Sequence, residues 1–264
     1  MLFALIVSVG TVGACGTADP QTESTGAGPP GRPAAPPELA SFCGPAGDLV
    51  QVLQDGPDTS AGAPPEEVAT ALQEFQARFE PALVAVEQTM PQAVRQDVGT
   101  LGRQARYAVA TKSEAPLETP EYDSALTRTR VTITRQCALV EVRVTATEYK
   151  YEGMPSDVPT GAFVVTLINL GAESHEMDVF QIDDSERRPF KELIALPEGE
   201  RGRAITSIVS GPNASPGDVD TMLLKLAPGR YGVACRIAQG TTSAQTGTGP
   251  LHATLGETAE FTVR

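Results

Sequence analysis

The spacing of apolar residues changes near Ala138, and this change constrains the fold more than any other feature of the sequence. Between residues 68 and 79, apolar side chains recur at intervals of four and three residues, which places them on one helix face. Over residues 140–147, apolar and polar residues alternate, as they do in a half-buried strand. The sequence therefore predicts an α+β chain, with a small helical bundle over residues 38–137 and a C-terminal antiparallel β-sandwich over residues 138–264.

The helical part is predicted to contain three helices. The first opens with Pro64, Pro65 and two glutamates, because proline fits the first turn of a helix and acidic residues favour its N-terminus, and it should kink at Pro81. The second begins at Pro91, and the third covers residues 122–137, although the β-branched residues 131–134 would also fit the following strand. This part contains no histidine, and its carboxylates are spaced as on solvated helix faces. We interpret it as a spacer or docking module.

Turn signals separate the strands of the predicted sandwich. Gly and Pro mark turns at residues 157–161, 169–171 and 227–229, and this pattern favours an antiparallel arrangement. One short helix is predicted at residues 188–195. The predicted strands cover residues 140–147, 163–168, 175–182, 221–226, 230–237 and 259–263.

Composition excludes one large class of partners. The formal net charge is −13 and the pI is near 4.6. A phosphate-binding surface needs clustered Lys and Arg, which the sequence does not contain, so nucleic acid is not a predicted partner. The chain has four cysteines and two histidines, so the role of each of these side chains is unusually informative.

The N-terminal residues have the features of an export signal. Residues 1–14 are uncharged and mostly apolar, but they are too few to span a bilayer. Residues 12–15 (Val-Gly-Ala-Cys) resemble the lipobox of bacterial lipoproteins, which makes Cys15 the predicted lipidation site of an extracytoplasmic protein anchored to the cell membrane. The usual positive charges of a signal are missing, so we expect the start codon to lie upstream of Met1. The alternative, a buried apolar segment, is disfavoured by the Gly- and Pro-rich residues 16–37, which are predicted to form a disordered tether.

The other cysteines suggest one disulfide and one free thiol. Cys43 precedes the first amphipathic stretch, residues 49–53, and Cys137 ends the third helix, so a bundle would bring the two together. We predict a disulfide between them, worth on the order of 4 to 5 kcal/mol in the chain-entropy model. The alternative is that both remain unpaired. With Cys15 lipidated, Cys235 is the odd thiol in an oxidising compartment.

Several C-terminal segments share an order that is typical of one family. Residues 147–152 (Thr-Glu-Tyr-Lys-Tyr-Glu) and 159–161 (Pro-Thr-Gly) precede residues 168–177, in which a histidine follows an Asn/Gly turn. Residues 227–235 (Ala-Pro-Gly-Arg-Tyr-Gly-Val-Ala-Cys) then lead through a turn into a strand that ends in cysteine, and a second histidine follows. This order resembles the cupredoxins over about residues 138–264, and it implies a cupredoxin-like Greek-key sandwich.

The resemblance implies a metal site. His175, Cys235 and His252 match the ligand positions of the family, and one thiolate with two imidazoles suits copper. Glu257 occupies the axial position, where methionine is expected. A carboxylate favours the oxidised metal, lowers the reduction potential and also makes zinc acceptable. Met177 is the alternative source of sulfur, although we expect it to pack in the core.

Two features keep another interpretation open. Sixteen residues, 236–251, separate Cys235 from His252, where small cupredoxins have only a few. This flexible insert can still return His252 to the site, or it can serve as a docking surface. In the other interpretation, His175 and His252 are ordinary loop histidines and Cys235 is a buried apolar residue.

Two functions follow from these observations. The first is an exported copper-binding module for one-electron transfer or copper handling, a monomer that meets a redox or copper-donor protein. The alternative is a metal-free interaction module on a degenerate cupredoxin scaffold. An enzyme of the multicopper oxidase or nitrite reductase type needs more histidines than the two present, so no enzymatic activity is predicted.

Overall fold

The computed structural model describes residues 37–59 and 62–264, which fall in one compact unit. Residues 1–36, which include Cys15 and nearly all of the predicted tether, lie outside the described residues. No helix in the described ranges is long and apolar enough to cross a membrane.

Helices come first along the described chain. The four long helices are α1 (Ala40–Asp55), α2 (Pro65–Glu87), α3 (Arg95–Thr111) and α4 (Pro120–Gln136). Short 3-10 helices occupy Pro37–Leu39, Gln92–Val94 and Ala115–Glu118.

The sequence predicted three helices in this part, and that number is wrong because α1 is a full helix of sixteen residues. Pro45 and its neighbouring glycines are poor helix formers, so local composition concealed the helix. Its buried side chains nevertheless follow helical spacing from Phe42 to Leu53. Pro81 lies inside α2, and the kink expected there stays a prediction. The β-branched residues 131–134 belong to α4 rather than to a strand.

Helices α1 and α4 are joined covalently. A disulfide links Cys43, inside α1, to Cys137, the residue that caps α4, across 94 positions of sequence. This is the pair predicted from the sequence. Around it, the apolar faces of the helices form one buried cluster that includes Phe42, Leu72, Phe75, Phe79, Leu101 and Ile133.

The rest of the chain is built mainly of strands. The strands are β1 (Val140–Thr147), β2 (Lys150–Glu152), β3 (Asp157–Val158), β4 (Gly161–Asn169), β5 (His175–Glu176), β6 (Asp178–Ile182), β7 (Ile205–Val209), β8 (Asn213–Ala214), β9 (Val219–Leu226), β10 (Gly229–Ala234) and β11 (Thr258–Val263). Three short helices interrupt them: α5 (Phe190–Leu193), α6 (Glu198–Ala204) and α7 (His252–Leu255).

These strands form two main sheets, of order β2-β1-β4-β9 and β3-β11-β10-β6-β7, with a small third sheet of β5 and β8. The predicted α+β class and sandwich are confirmed, but the prediction of a purely antiparallel sandwich is wrong. Strand β1 pairs with β4 in parallel, and β11 pairs with β3 in parallel. The chain leaves β1 through β2, passes to the other sheet at β3 and returns as β4, so β4 runs in the direction of β1. Alternation of apolar residues carries no information on strand direction.

Apolar side chains of both sheets form the core of the sandwich. Along β1, Val142, Val144 and Ala146 are buried while the residues between them are more exposed, as the alternating pattern predicted. Tyr231 and Phe261 stack in this core with ring centroids 5.5 Å apart. The core therefore supports the ends of β10 and β11, where the candidate site lies.

Helix α1 covers the free edge of β9, the last strand of its sheet. The side chain of Gln54 donates to the Leu223 carbonyl oxygen over 2.8 Å and accepts from the Leu223 amide over 3.1 Å. Lys225 donates its backbone amide to the side chain of Gln51 and pairs with Asp48 through its ammonium group. Because an open strand edge exposes unpaired backbone groups, this contact satisfies part of the edge.

We expect the Cys43→Ser/Cys137→Ser double variant to be less stable than the wild type by about 2 to 5 kcal/mol, because the bridge restricts a long loop of the unfolded chain. Urea unfolding of both proteins without reductant measures this difference. The matched control is the wild type in reductant, which should unfold at the midpoint of the variant. Equal midpoints for variant and non-reduced wild type would contradict the assignment.

Candidate metal centre

Four polar side chains meet at one end of the sandwich. His175 begins β5, Cys235 directly follows β10, His252 begins α7 and Glu257 directly precedes β11. All four residues have 0% exposure to solvent. Burial of this many polar groups is costly unless each has a partner or a metal, so their meeting requires a chemical explanation.

Backbone hydrogen bonds lock three of these residues together. The Cys235 amide donates to the Glu257 carbonyl oxygen over 3.2 Å, and the Glu257 amide donates to the His252 carbonyl oxygen over 3.1 Å. The Ala253 amide donates to the Cys235 carbonyl oxygen over 2.8 Å. The turn at α7 thus holds its histidine and its carboxylate against the end of β10.

The side chains converge on a small volume. Nδ1 of His175 lies 2.8 Å from each carboxylate oxygen of Glu257, and Nδ1 of His252 lies 3.1 Å from Oε2 of the same carboxylate. Sγ of Cys235 lies 3.4 Å from Nδ1 of His252. One potential ligand atom from each residue lies within 4.8 Å of the others. Both imidazoles therefore turn the same nitrogen, Nδ1, towards the thiol and the carboxylate.

Burial sets the protonation state of the thiol. Desolvation, and then the neighbouring Glu257 carboxylate, raise the pKa of Cys235 far above its ordinary value. The thiol is therefore protonated in the metal-free chain. A cation bound by the Cys235 sulfur would displace this proton, and its positive charge would attract the buried Glu257 carboxylate.

The donor set fits a copper or a zinc ion. Tetrahedral coordination at ordinary bond lengths separates a sulfur and a nitrogen ligand by about 3.5 Å and a nitrogen and an oxygen ligand by about 3.3 Å. The spacings between Cys235, His252 and Glu257 are close to these values, whereas Nδ1 of His175 lies nearer to the carboxylate, at 2.8 Å from each oxygen of Glu257. In addition, Oε1 of Glu257 is buried without a hydrogen-bond partner, although it lies beside Nδ1 of His175. Two nitrogens, one sulfur and one oxygen suit either metal.

The structure thus brings together the residues that the sequence proposed as ligands, and their role as ligands stays a prediction. Met177 is buried in the core of the sandwich, as expected from its sequence position. Residues 236–251 return His252 to the site, as expected of the insert, and make backbone hydrogen bonds among themselves.

Three residues outside the predicted ligand set surround the histidines. Oε2 of Glu173 lies 2.9 Å from Nε2 of His252, and Oε1 of Glu148 lies 3.8 Å from Nε2 of His175. Gly171 packs so closely that a Cβ atom there would lie 2.8 Å from Nε2 of His175. All three lie in segments 147–152 and 168–177, which carry the resemblance, but acidic and glycine residues in a loop are typical of solvated turns, so their contacts with the histidines were not predicted.

The β-sandwich has the order of turn, strand and ligand residues expected of a cupredoxin-like domain. The Pro228-Gly229 turn leads into β10, that strand ends beside Cys235, and both histidines meet the thiol, as the resemblance implied. A disulfide such as Cys43–Cys137 is typical of extracytoplasmic proteins.

Comparisons with solved structures give similar proteins of low identity. A reduced auracyanin from Roseiflexus castenholzii is 19% identical over 47% of this chain and 97% of that one, with a TM-score of 0.28. A purple cupredoxin from Nitrosopumilus maritimus is 14% identical over 47% and 99%, with a TM-score of 0.27. The McoA multicopper oxidase from Aquifex aeolicus is 11% identical over 48% of this chain and only 29% of that one, with a TM-score of 0.29. No protein-family model and no curated protein matches the sequence.

We expect Gly171→Ala to destabilise the metal-free protein by about 1 to 3 kcal/mol, because the new methyl group would collide with the side chains of Glu148 and His175. Gly199→Ala is the matched control, because no atom lies within 4 Å of a Cβ built there. Gly199 lies in α6, so its replacement should be neutral or stabilise by up to about 1 kcal/mol. Urea unfolding measures both variants, and equal stability of the two would show that the Gly171 contact is not restrictive.

Proposed function

We propose that this protein is an exported, membrane-anchored cupredoxin-like protein that binds copper and uses it for one-electron transfer or copper handling. The observation that carries the proposal is the meeting of His175, Cys235, His252 and Glu257 in a fully buried cluster. A buried thiol between two inward-facing imidazoles is a donor set that suits copper in both of its oxidation states.

Each part of the site has a distinct task in this proposal. The two imidazoles and the Cys235 thiolate would hold the ion, which supplies the one-electron chemistry when bound. Glu257 adds negative charge, which favours the oxidised ion and lowers the reduction potential relative to a thioether ligand. Because backbone hydrogen bonds fix Cys235, His252 and Glu257, the ligand positions should change little between oxidation states.

The donor set does not by itself select one metal. A carboxylate together with a thiolate and two imidazoles also suits zinc. We choose copper because the sequence resembles the cupredoxins around His175, Cys235 and His252. A metal-free interaction module is not favoured, since it leaves Oε1 of Glu257 buried without a hydrogen bond.

Cellular placement follows from the cysteines. The Cys43–Cys137 disulfide suits an oxidising compartment, and we propose that Cys15 carries the lipid anchor and that residues 16–37 are the tether. Its partner would be a redox or copper-donor protein that meets a monomer, and the net charge of −13 disfavours nucleic acid.

An electron carrier is favoured over an enzyme. Both histidines of the chain lie in the one cluster, so no histidine is left for a second copper centre.

The test is titration of the purified protein with Cu(II). One equivalent should produce an intense visible absorption from the thiolate-to-copper transition, and Cys235→Ser should abolish that absorption. The control is the Cys43→Ser/Cys137→Ser variant, which should keep the absorption because its bridge lies in the helical part. The proposal fails if the wild type gives no such band and Cys235→Ser binds copper with wild-type affinity.

A further inference from the structure

The outer edge of His252 is covered by protein. Its imidazole is fully buried, and its ring centroid lies 4.8 Å from that of Tyr149. The Nε2 atom points away from the other three residues of the candidate centre and lies 2.9 Å from Oε2 of Glu173. Residues 236–251, which we call the covering loop, connect Cys235 to His252 and close this side of the site.

One carboxylate connects the histidine to the covering loop. Oε2 of Glu173 also accepts a hydrogen bond from the Gly240 amide over 2.6 Å. Its other oxygen accepts from the Tyr149 hydroxyl over 3.3 Å, and that hydroxyl in turn accepts from Gln239 over 2.6 Å. Glu173 therefore contacts a candidate ligand, an aromatic residue above it and the backbone of the loop.

The residue that supplies this carboxylate is itself held in place. Its backbone amide donates to Oε1 of Glu148 over 2.9 Å, and its carbonyl oxygen accepts from the buried side chain of Asn169 over 2.7 Å. The next amide, that of Ser174, donates to the Thr241 carbonyl oxygen of the covering loop over 2.8 Å. Glu173 is therefore bound from both sides, which fixes the direction of its side chain.

The covering loop has a defined packing of its own. The Gln239 amide donates to the Pro250 carbonyl oxygen over 2.9 Å, and the Gly249 amide donates to the Gln239 carbonyl oxygen over 3.1 Å. A Cβ atom at Gly247 would lie 2.1 Å from the Gln239 carbonyl oxygen, so this position has no room for a side chain. The glycines of the loop thus allow close approach of its two sides, rather than serving only for flexibility.

We infer that Glu173 is a positioning residue that fixes His252 and fastens the covering loop over the centre, so that the loop controls release of the metal. A carboxylate that accepts the outer proton of an imidazole fixes its tautomer and orientation, which leaves Nδ1 free to bind, and it raises the basicity of the ligand. Release of an ion past His252 would then require these contacts to break. This inference rests on the proposed function, since it assigns Glu173 to the same centre.

The experiment compares Glu173→Gln with the wild type and with the matched control Glu200→Gln, which removes an exposed carboxylate of α6. In metal-free protein, hydrogen exchange at the covering loop should accelerate in Glu173→Gln only, because the anionic acceptor of the Gly240 amide is lost. In copper-loaded protein, a chelator should remove copper roughly 10 to 100 times faster from Glu173→Gln than from the wild type or from Glu200→Gln.

The outcomes separate this inference from the proposed function. Wild-type loop exchange and wild-type copper release in Glu173→Gln would overturn the inference and leave copper binding intact. If Glu173→Gln shows faster exchange in the covering loop but unchanged copper release, the claim that the loop controls release is overturned. If the wild type binds no copper, the proposed function fails, and loop exchange still tests the Glu173 contact. Should Glu173→Gln not fold, Glu173→Asp keeps the charge with a shorter reach, and the same two measurements should give a smaller change in the same direction.

Discussion

The carboxylate of Glu257, buried between two imidazoles, is the interaction on which the candidate centre depends. It lies 2.8 Å from Nδ1 of His175 and 3.1 Å from Nδ1 of His252, without exposure to solvent. A buried carboxylate is costly unless charge or hydrogen bonds offset its desolvation. It also raises the pKa of the Cys235 thiol. A cation in the centre would offset both costs at once, and this is the physical reason to regard the cluster as a metal site.

The scaffold keeps these groups from moving apart. The sandwich core supports the ends of β10 and β11, and the turn at α7 ties His252 and Glu257 to Cys235 through the backbone. In the sheet that does not carry Cys235, Gln54 of α1 hydrogen-bonds to the edge strand β9. The Cys43–Cys137 bridge joins α1 to α4. The helices thus contribute to the stability of the sheet that backs the sandwich.

Local patterns in the sequence predicted much of this fold and little of its long-range arrangement. The change of period at Ala138, the alternation along β1 and the motif that ends at Cys235 are local signals, and each corresponds to the structure. The parallel pairing of β1 with β4 depends on the path of the chain between sheets, which no local pattern encodes. The contacts of Glu173 with His252 and Gly240 could not be predicted from local patterns either, because they join residues far apart in sequence.

X-ray absorption spectroscopy of the copper-loaded protein tests the central claim most directly, because it counts the atoms bound to the ion. A centre built from Cys235, His175, His252 and Glu257 predicts one sulfur neighbour and two imidazole nitrogens, with the sulfur lost in Cys235→Ser. A first shell of oxygen and nitrogen alone, identical in the wild type and in Cys235→Ser, would contradict it.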